Sequence, residues 1–235
     1  MVNLYLDAAD LASIRKYAND ERIRGVTTNP SLMKKSGLSG NYEEYAKYVL
    51  GLLGLHQCVS FEVITDELPE MERQARIISS WGNNVYVKIP ALNTKGDTTC
   101  WLVRKLLQDG IKVNITAVMT YDQIAEFTED AHPCQFILSI FAGRIADTSR
   151  NPTHYIRYAH SCMGTNQLNA VNGKVLWASA REVWNIQEAA HYGADIITLT
   201  PELIDKYTKL HNKSLLEYSL ETVEMFYNDA KGIEL

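Results

Sequence analysis

The chain has 235 residues, of which 46% are hydrophobic and 22% charged, with a formal net charge of -5. That length and apolar fraction suffice for a full buried core, and no Pro-, Gly- or Ser-rich linker divides the chain, which predicts a single domain over 1–235. The acidic balance excludes the basic footprint of a nucleic-acid or membrane-surface binder, so an anionic ligand must rest on a few placed cations.

Short apolar runs alternate with longer amphipathic segments. The first predicted strand, "NLYLDA" (3–8), follows no basic, apolar leader and ends near Asp7, which predicts a cytoplasmic protein. "RGVTT" (24–28) runs into Asn29 and Pro30, a helix cap followed by a first helical position, with Thr27, Thr28 and the Asn29 amide clustered at the strand end. A helix over 41–55 leads to "CVSFEVI" (58–64), where Glu62 interrupts an apolar run that would make a lone carboxylate costly. After a helix over 66–81 comes "NVYVKI" (84–89), in which Lys88 shares a face with Tyr86. A helix over 98–109 precedes "KVNITA" (112–117), with Asn114 and Thr116. Beyond a helix over 120–130, "QFILSIFA" (135–142) carries Ser139 and Phe141, with Arg144 just after it. A helix over 153–163 leads to "KVLWASA" (174–180), which carries Ser179 and is followed by Arg181. A helix over 182–192, a strand "DIITLT" (195–200) and a spare helix over 214–230 complete the chain.

Eight strand–helix units predict an α/β fold, a (β/α)8 TIM barrel over about 3–210 with an additional C-terminal helix; an open doubly wound sheet is the alternative. The spare helix either covers the barrel or docks on a neighbouring subunit, and a homo-oligomer is expected. In a barrel, functional residues belong at the carboxyl ends of the strands, and the polar groups named above gather there. Cys58, Cys100, Cys134 and Cys162 are widely spaced, and the six histidines form no HxxxH or HExxH pattern, so neither a metal nor a cofactor is expected.

A strand-end lysine ordinarily snorkels to water. If Lys88 points into a barrel mouth instead, desolvation disfavours its ammonium form, and a neutral amine attacks a carbonyl to form an imine. Asp7 and Glu62 offer carboxylates to move protons, and Thr116 with Asn114 offers a water site. Each has a plainer use: Asp7 as a helix cap, Glu62 as partner to a surface lysine. Arg144 and Arg181, with Ser179, suit a phosphate monoester at the ends of late strands, or else form solvated ion pairs.

The segments "LYLDAAD", "GVTTNPS", "FEVI", "VKIP", "NITA", "SIFAGRIAD" and "WASAREV" resemble, in order and spacing across about residues 3 to 200, the transaldolase family of class I aldolases. The resemblance implies that Lys88 forms the Schiff base, Asp7 transfers protons, and Glu62 with Thr116 holds the catalytic water. It further implies that Asn29 meets the substrate's hydroxyls, that Thr27, Asn114 and Ser139 line the same pocket, and that Arg144, Ser179 and Arg181 bind phosphate. Sugar phosphates of the pentose phosphate pathway type are the implied substrates.

The related fructose-6-phosphate aldolases carry glutamine at the position of Glu62 and tyrosine at that of Phe141. Both residues here are the transferase-like choices. The long stretch "ALNTKGDTTCW" and Trp177 depart from the small bacterial transaldolases, and both are expected to border the substrate pocket. A catalytically silent sugar-phosphate-binding barrel is the reading from another class, disfavoured because binding alone needs neither the lysine nor the two carboxylates.

Overall fold

The computed structural model describes residues 2–37, 40–54, 56–129, 134–165 and 173–233. Its strands are β1 Asn3–Asp7, β2 Ile23–Thr27, β3 Cys58–Glu62, β4 Val85–Pro90, β5 Val113–Val118, β6 Phe136–Ile140, β7 Gly173–Trp177 and β8 Ile196–Leu199. They form a closed barrel in sequence order, every pair parallel, with β8 returning to β1. The helices are α1 Leu11–Tyr17, α2 Pro30–Lys35, α3 Tyr42–Leu52, α4 Leu68–Ser79, α5 Cys100–Gln108, α6 Tyr121–Thr128, α7 Ala142–Asp147, α8 Thr153–Thr165, α9 Asn185–Tyr192, α10 Pro201–Leu210 and α11 Leu215–Asp229. This is the (β/α)8 TIM barrel with a C-terminal helix. Residues 55 and 130, at the ends of two expected helices, lie outside the described residues.

The core has the two layers that strand alternation demands. Tyr5, Tyr86, Ile137, Leu176, Ala178 and Ile196 fill the barrel interior. Leu6, Val26, Phe61, Val87, Ile115 and Leu138 face outward and pack beneath the helices. Trp177 belongs to this outer layer, 1% exposed, because its neighbours Leu176 and Ala178 take the interior positions. It therefore does not border the pocket as expected.

Two strands end earlier than their apolar runs do. β6 stops at Ile140 because Phe141 becomes the cap of α7, and β7 stops at Trp177 before Ser179 adopts a positive φ of 62°. The stretch after β4 folds on itself: Leu92 bridges Thr98, Asn93 Nδ2 donates to Asp97 at 3.0 Å, and the Thr94 hydroxyl donates to Asp66 at 2.6 Å. Among the described residues no helix is long and apolar enough to cross a membrane. α11 contains no buried residue, and Leu216, Phe226 and Tyr227 on it are 71%, 62% and 70% exposed.

Candidate active site

Parallel register brings the polar strand ends into one ring. Asp7 pairs with Thr27, Thr27 with Ser60, Glu62 with Lys88, and Lys88 with Asn114. With alternating side chains, these positions point inward at the carboxyl end, above the apolar plug. A cavity of about 490 Å³ opens there, lined by Asp7, Thr27, Asn29, Glu62, Lys88, Thr116, Ser139, Phe141, Arg144 and Ser179, with Thr198 of β8 beside them.

Lys88 lies on the cavity floor, 5% exposed. Its Nζ is 3.1 Å from Glu62 Oε2 and donates to the Thr28 carbonyl at 2.8 Å. Thr28 is itself fixed, its hydroxyl donating to the Ser60 carbonyl at 3.0 Å. The Glu62 backbone is clamped by one phenol: its N–H donates to Tyr42 Oη at 3.1 Å, and that hydroxyl donates to the Glu62 carbonyl at 3.2 Å. Lysine and carboxylate are thus both held on fixed backbone.

Asp7 accepts from the Thr27 hydroxyl at 3.0 Å, and Thr27 shares a 2.6 Å hydrogen bond with Thr198. The carboxyl opens to the cavity but is ringed by protein elsewhere, and burial pushes its pKa above the ordinary carboxylate range. The Lys88 charge and hydrogen bonds from Thr27 and Asn29 pull the other way, more weakly. Asn29 also caps α2, its side-chain oxygen accepting from the Leu32 N–H at 2.9 Å, so the expected cap is present and the same amide faces the cavity.

Thr116 is 2% exposed, yet its hydroxyl has no hydrogen-bond partner. Leaving such a group unpaired costs about 1–3 kcal/mol, so the site favours a polar guest. Next to it the strand bulges: register shifts between Ile115 and Val118, with Ala117 at φ 59°. Asn114 differs from its expected place. Fully buried, it sits beneath the cavity instead of lining it, donating to Ser60 Oγ at 3.0 Å and accepting from Ser139 Oγ at 2.6 Å, which orients Ser139.

The cation end is built on α7. Arg144 belongs to this helix, not to a strand end, and its guanidinium lies 5.6 Å over the Phe141 ring. A Cβ on Gly143 would sit 1.7 Å from the Ser179 carbonyl oxygen, so only glycine lets α7 approach the loop after β7 so closely. Arg181 does not line the cavity; it lies at the rim, where Nη2 donates to Asp147 Oδ2 at 2.5 Å. The stretch 91–101 also contributes nothing to the lining, contrary to expectation.

Three contributors went unread in the sequence. Thr198 was signalled, because alternation in "DIITLT" puts it on the inward face with Ile196. Ser60 had the same signal two residues before Glu62. Tyr42 had none, since it reaches Glu62 from another element. Among the described residues no three His, Cys, Asp or Glu side chains gather in a way that would hold a metal ion.

The chain matches the family described as transaldolase/fructose-6-phosphate aldolase over residues 4–234. It is 31% identical over 209 residues to a probable transaldolase of Nitrosopumilus maritimus (strain SCM1), covering 87% of this chain and 86% of that one. It is 30% identical over 205 residues to probable transaldolase 2 of Listeria monocytogenes, covering 87% and 88%. Among solved structures it is similar to the recombinant flavin-binding domain of baker's yeast flavocytochrome b2, with a TM-score of 0.59, 14% identity, and 85% of this chain against 57% of that one. Such low identity speaks for the barrel alone. The match along nearly the whole sequence speaks for more: this chain belongs to the transaldolase/fructose-6-phosphate aldolase family.

Proposed function

We propose that the protein is a transaldolase that moves a dihydroxyacetone unit from a ketose phosphate, such as fructose 6-phosphate or sedoheptulose 7-phosphate, to an aldose phosphate through a Schiff base on Lys88. The observation that carries this reading is the enclosed Lys88 amine, 3.1 Å from Glu62 at the floor of a polar cavity that also holds Asp7.

In this reading Glu62 takes a proton from Lys88, and the amine so freed adds to the substrate's C2 carbonyl. Glu62, through a water held at the unpartnered Thr116 hydroxyl, returns a proton to the C2 oxygen, which leaves as water and gives an iminium. Asp7 takes the C4 hydroxyl proton, the C3–C4 electron pair flows into the iminium, and the aldehyde phosphate departs. Burial that favours protonated Asp7 suits this role. The three-carbon unit stays as an enamine with its hydroxyls met by Asn29 and Ser139, while Thr27 holds Asp7. An acceptor aldehyde then adds to the enamine carbon, Asp7 gives its proton to the new alkoxide, and water regenerates Lys88. Arg144 and Ser179, joined by Arg181 from the rim, bind the phosphate.

Aldolase-type release of dihydroxyacetone needs a proton delivered to the enamine. Phe141 lines the cavity without a hydroxyl to orient water for that step, which favours transfer. We also propose that α11 docks on a second copy of the chain, because its large apolar side chains find no cover on their own barrel. Borohydride reduction with fructose 6-phosphate, mapped by mass, tests the Schiff base.

A further inference from the structure

Arg181 lies along α7. Gly143 and Asp147 are four residues apart on that helix, so they share one face, a turn apart. Arg181 Nε lies 3.1 Å from where a Gly143 Cβ would be, and its Nη2 reaches Asp147 Oδ2 at 2.5 Å. The side chain therefore runs along the face that the missing Cβ leaves open, from the start of the helix to its end. Its backbone is pinned separately, the Arg181 N–H donating to Asn185 Oδ1 at 2.9 Å. The same short helix carries Arg144 into the cavity and so sets the spacing of the two guanidinium groups.

Neither helix chemistry nor stability explains an aspartate at 147. A carboxylate in the last turn faces the negative end of the helix dipole. The ion pair is exposed, 52% and 55% for its two side chains, and exposed pairs contribute little to stability. What the pair does is fix a rotamer of a long, flexible side chain. Holding that side chain before the ligand arrives removes part of the ordering cost of binding, and a single contact through Nη2 leaves other guanidinium N–H groups free to donate.

We infer that Asp147 is a positioning residue that aims Arg181 at the substrate's phosphate, setting the enzyme's preference for phosphorylated over unphosphorylated sugars. The inference rests on the phosphate assignment proposed above. Its test is a cycle of Asp147→Asn, Arg181→Ala and the double variant, each assayed with fructose 6-phosphate and with fructose. Asp147→Asn should raise KM for fructose 6-phosphate about five- to tenfold with kcat within about twofold, and lower the ratio of kcat/KM between the two sugars by the same factor. Asp147→Glu should recover part of the loss. In the Arg181→Ala background the Asp147 substitution should change nothing further. An unchanged or lowered KM in Asp147→Asn would overturn the inference, the lowered value showing that Asp147 competes with phosphate. Equal losses with and without Arg181 would overturn it too. If Arg181→Ala alone leaves the sugar ratio unchanged, the phosphate assignment fails first and takes the inference with it.

Discussion

Replacing Glu62 by glutamine separates charge from shape at the centre of the site. The Glu62 carboxylate lies 3.1 Å from Lys88 Nζ, with 14% and 7% of the two side chains exposed. At an effective dielectric of ~20 that distance corresponds to about 5 kcal/mol of gross attraction. Removing one partner of a buried pair costs about 3–5 kcal/mol, because the other charge stays behind. Here Asp7 remains near Lys88 and the Thr28 carbonyl still accepts at 2.8 Å, so we expect a loss at the low end, about 3 kcal/mol. Denaturant midpoints at constant m-value measure it. In the proposed proton route the amide can no longer exchange a proton with a water at Thr116, and single-turnover imine formation should slow by about a hundredfold or more. If stability falls while imine formation stays within about threefold of the native rate, Glu62 is a counter-ion and not an acid–base group, and the proton route proposed above is wrong.

Asp7→Asn should reduce carbon–carbon cleavage by about a hundredfold or more, yet improve stability in a pH-dependent way. A buried carboxyl with a raised pKa contributes most below its unfolded value, and that contribution is lost as pH rises through its folded value. The asparagine variant should therefore melt higher than the native protein at neutral and alkaline pH, with the margin closing in acid; thermal melts that show the opposite trend contradict the burial argument. Phe141→Tyr should raise free dihydroxyacetone release relative to transfer, followed by paired assays for the acceptor-derived ketose and for dihydroxyacetone, and an unchanged ratio removes position 141 from the discrimination. Truncation before Leu215 should lower the number of copies per particle found by sedimentation, and an unchanged number would show that α11 does not join copies.

The barrel was legible because each unit repeats one contrast, a short β-branched run and then a 3.6-period segment. α1, α7 and α10 were not singled out: α1 and α7, with seven and six residues, are too short to display a period, whereas α10 carries one in Leu203, Ile204, Tyr207 and Leu210 that went unread. Much of the site was legible for the same reason as the fold, since two-residue alternation decides which strand-end side chains face the mouth. Trp177 shows that rule neglected, for Leu176 and Ala178 inside oblige Trp177 to point out. Asn114 shows its limit: alternation gives the inward face but not the depth, and this residue sits below the cavity. Arg181 lies beyond a positive φ at Ser179, where strand periodicity no longer describes the chain. Its place is set by Gly143 and Asp147, which are remote in sequence.

A Schiff base on Lys88 is trapped most directly by borohydride. Incubation with fructose 6-phosphate and reduction should fix a three-carbon, dihydroxyacetone-derived adduct, with mass mapping placing it on the peptide that contains "VYVKIP", at Lys88. Lys88→Met should abolish the adduct. No adduct, or one on a different lysine, would contradict the mechanism.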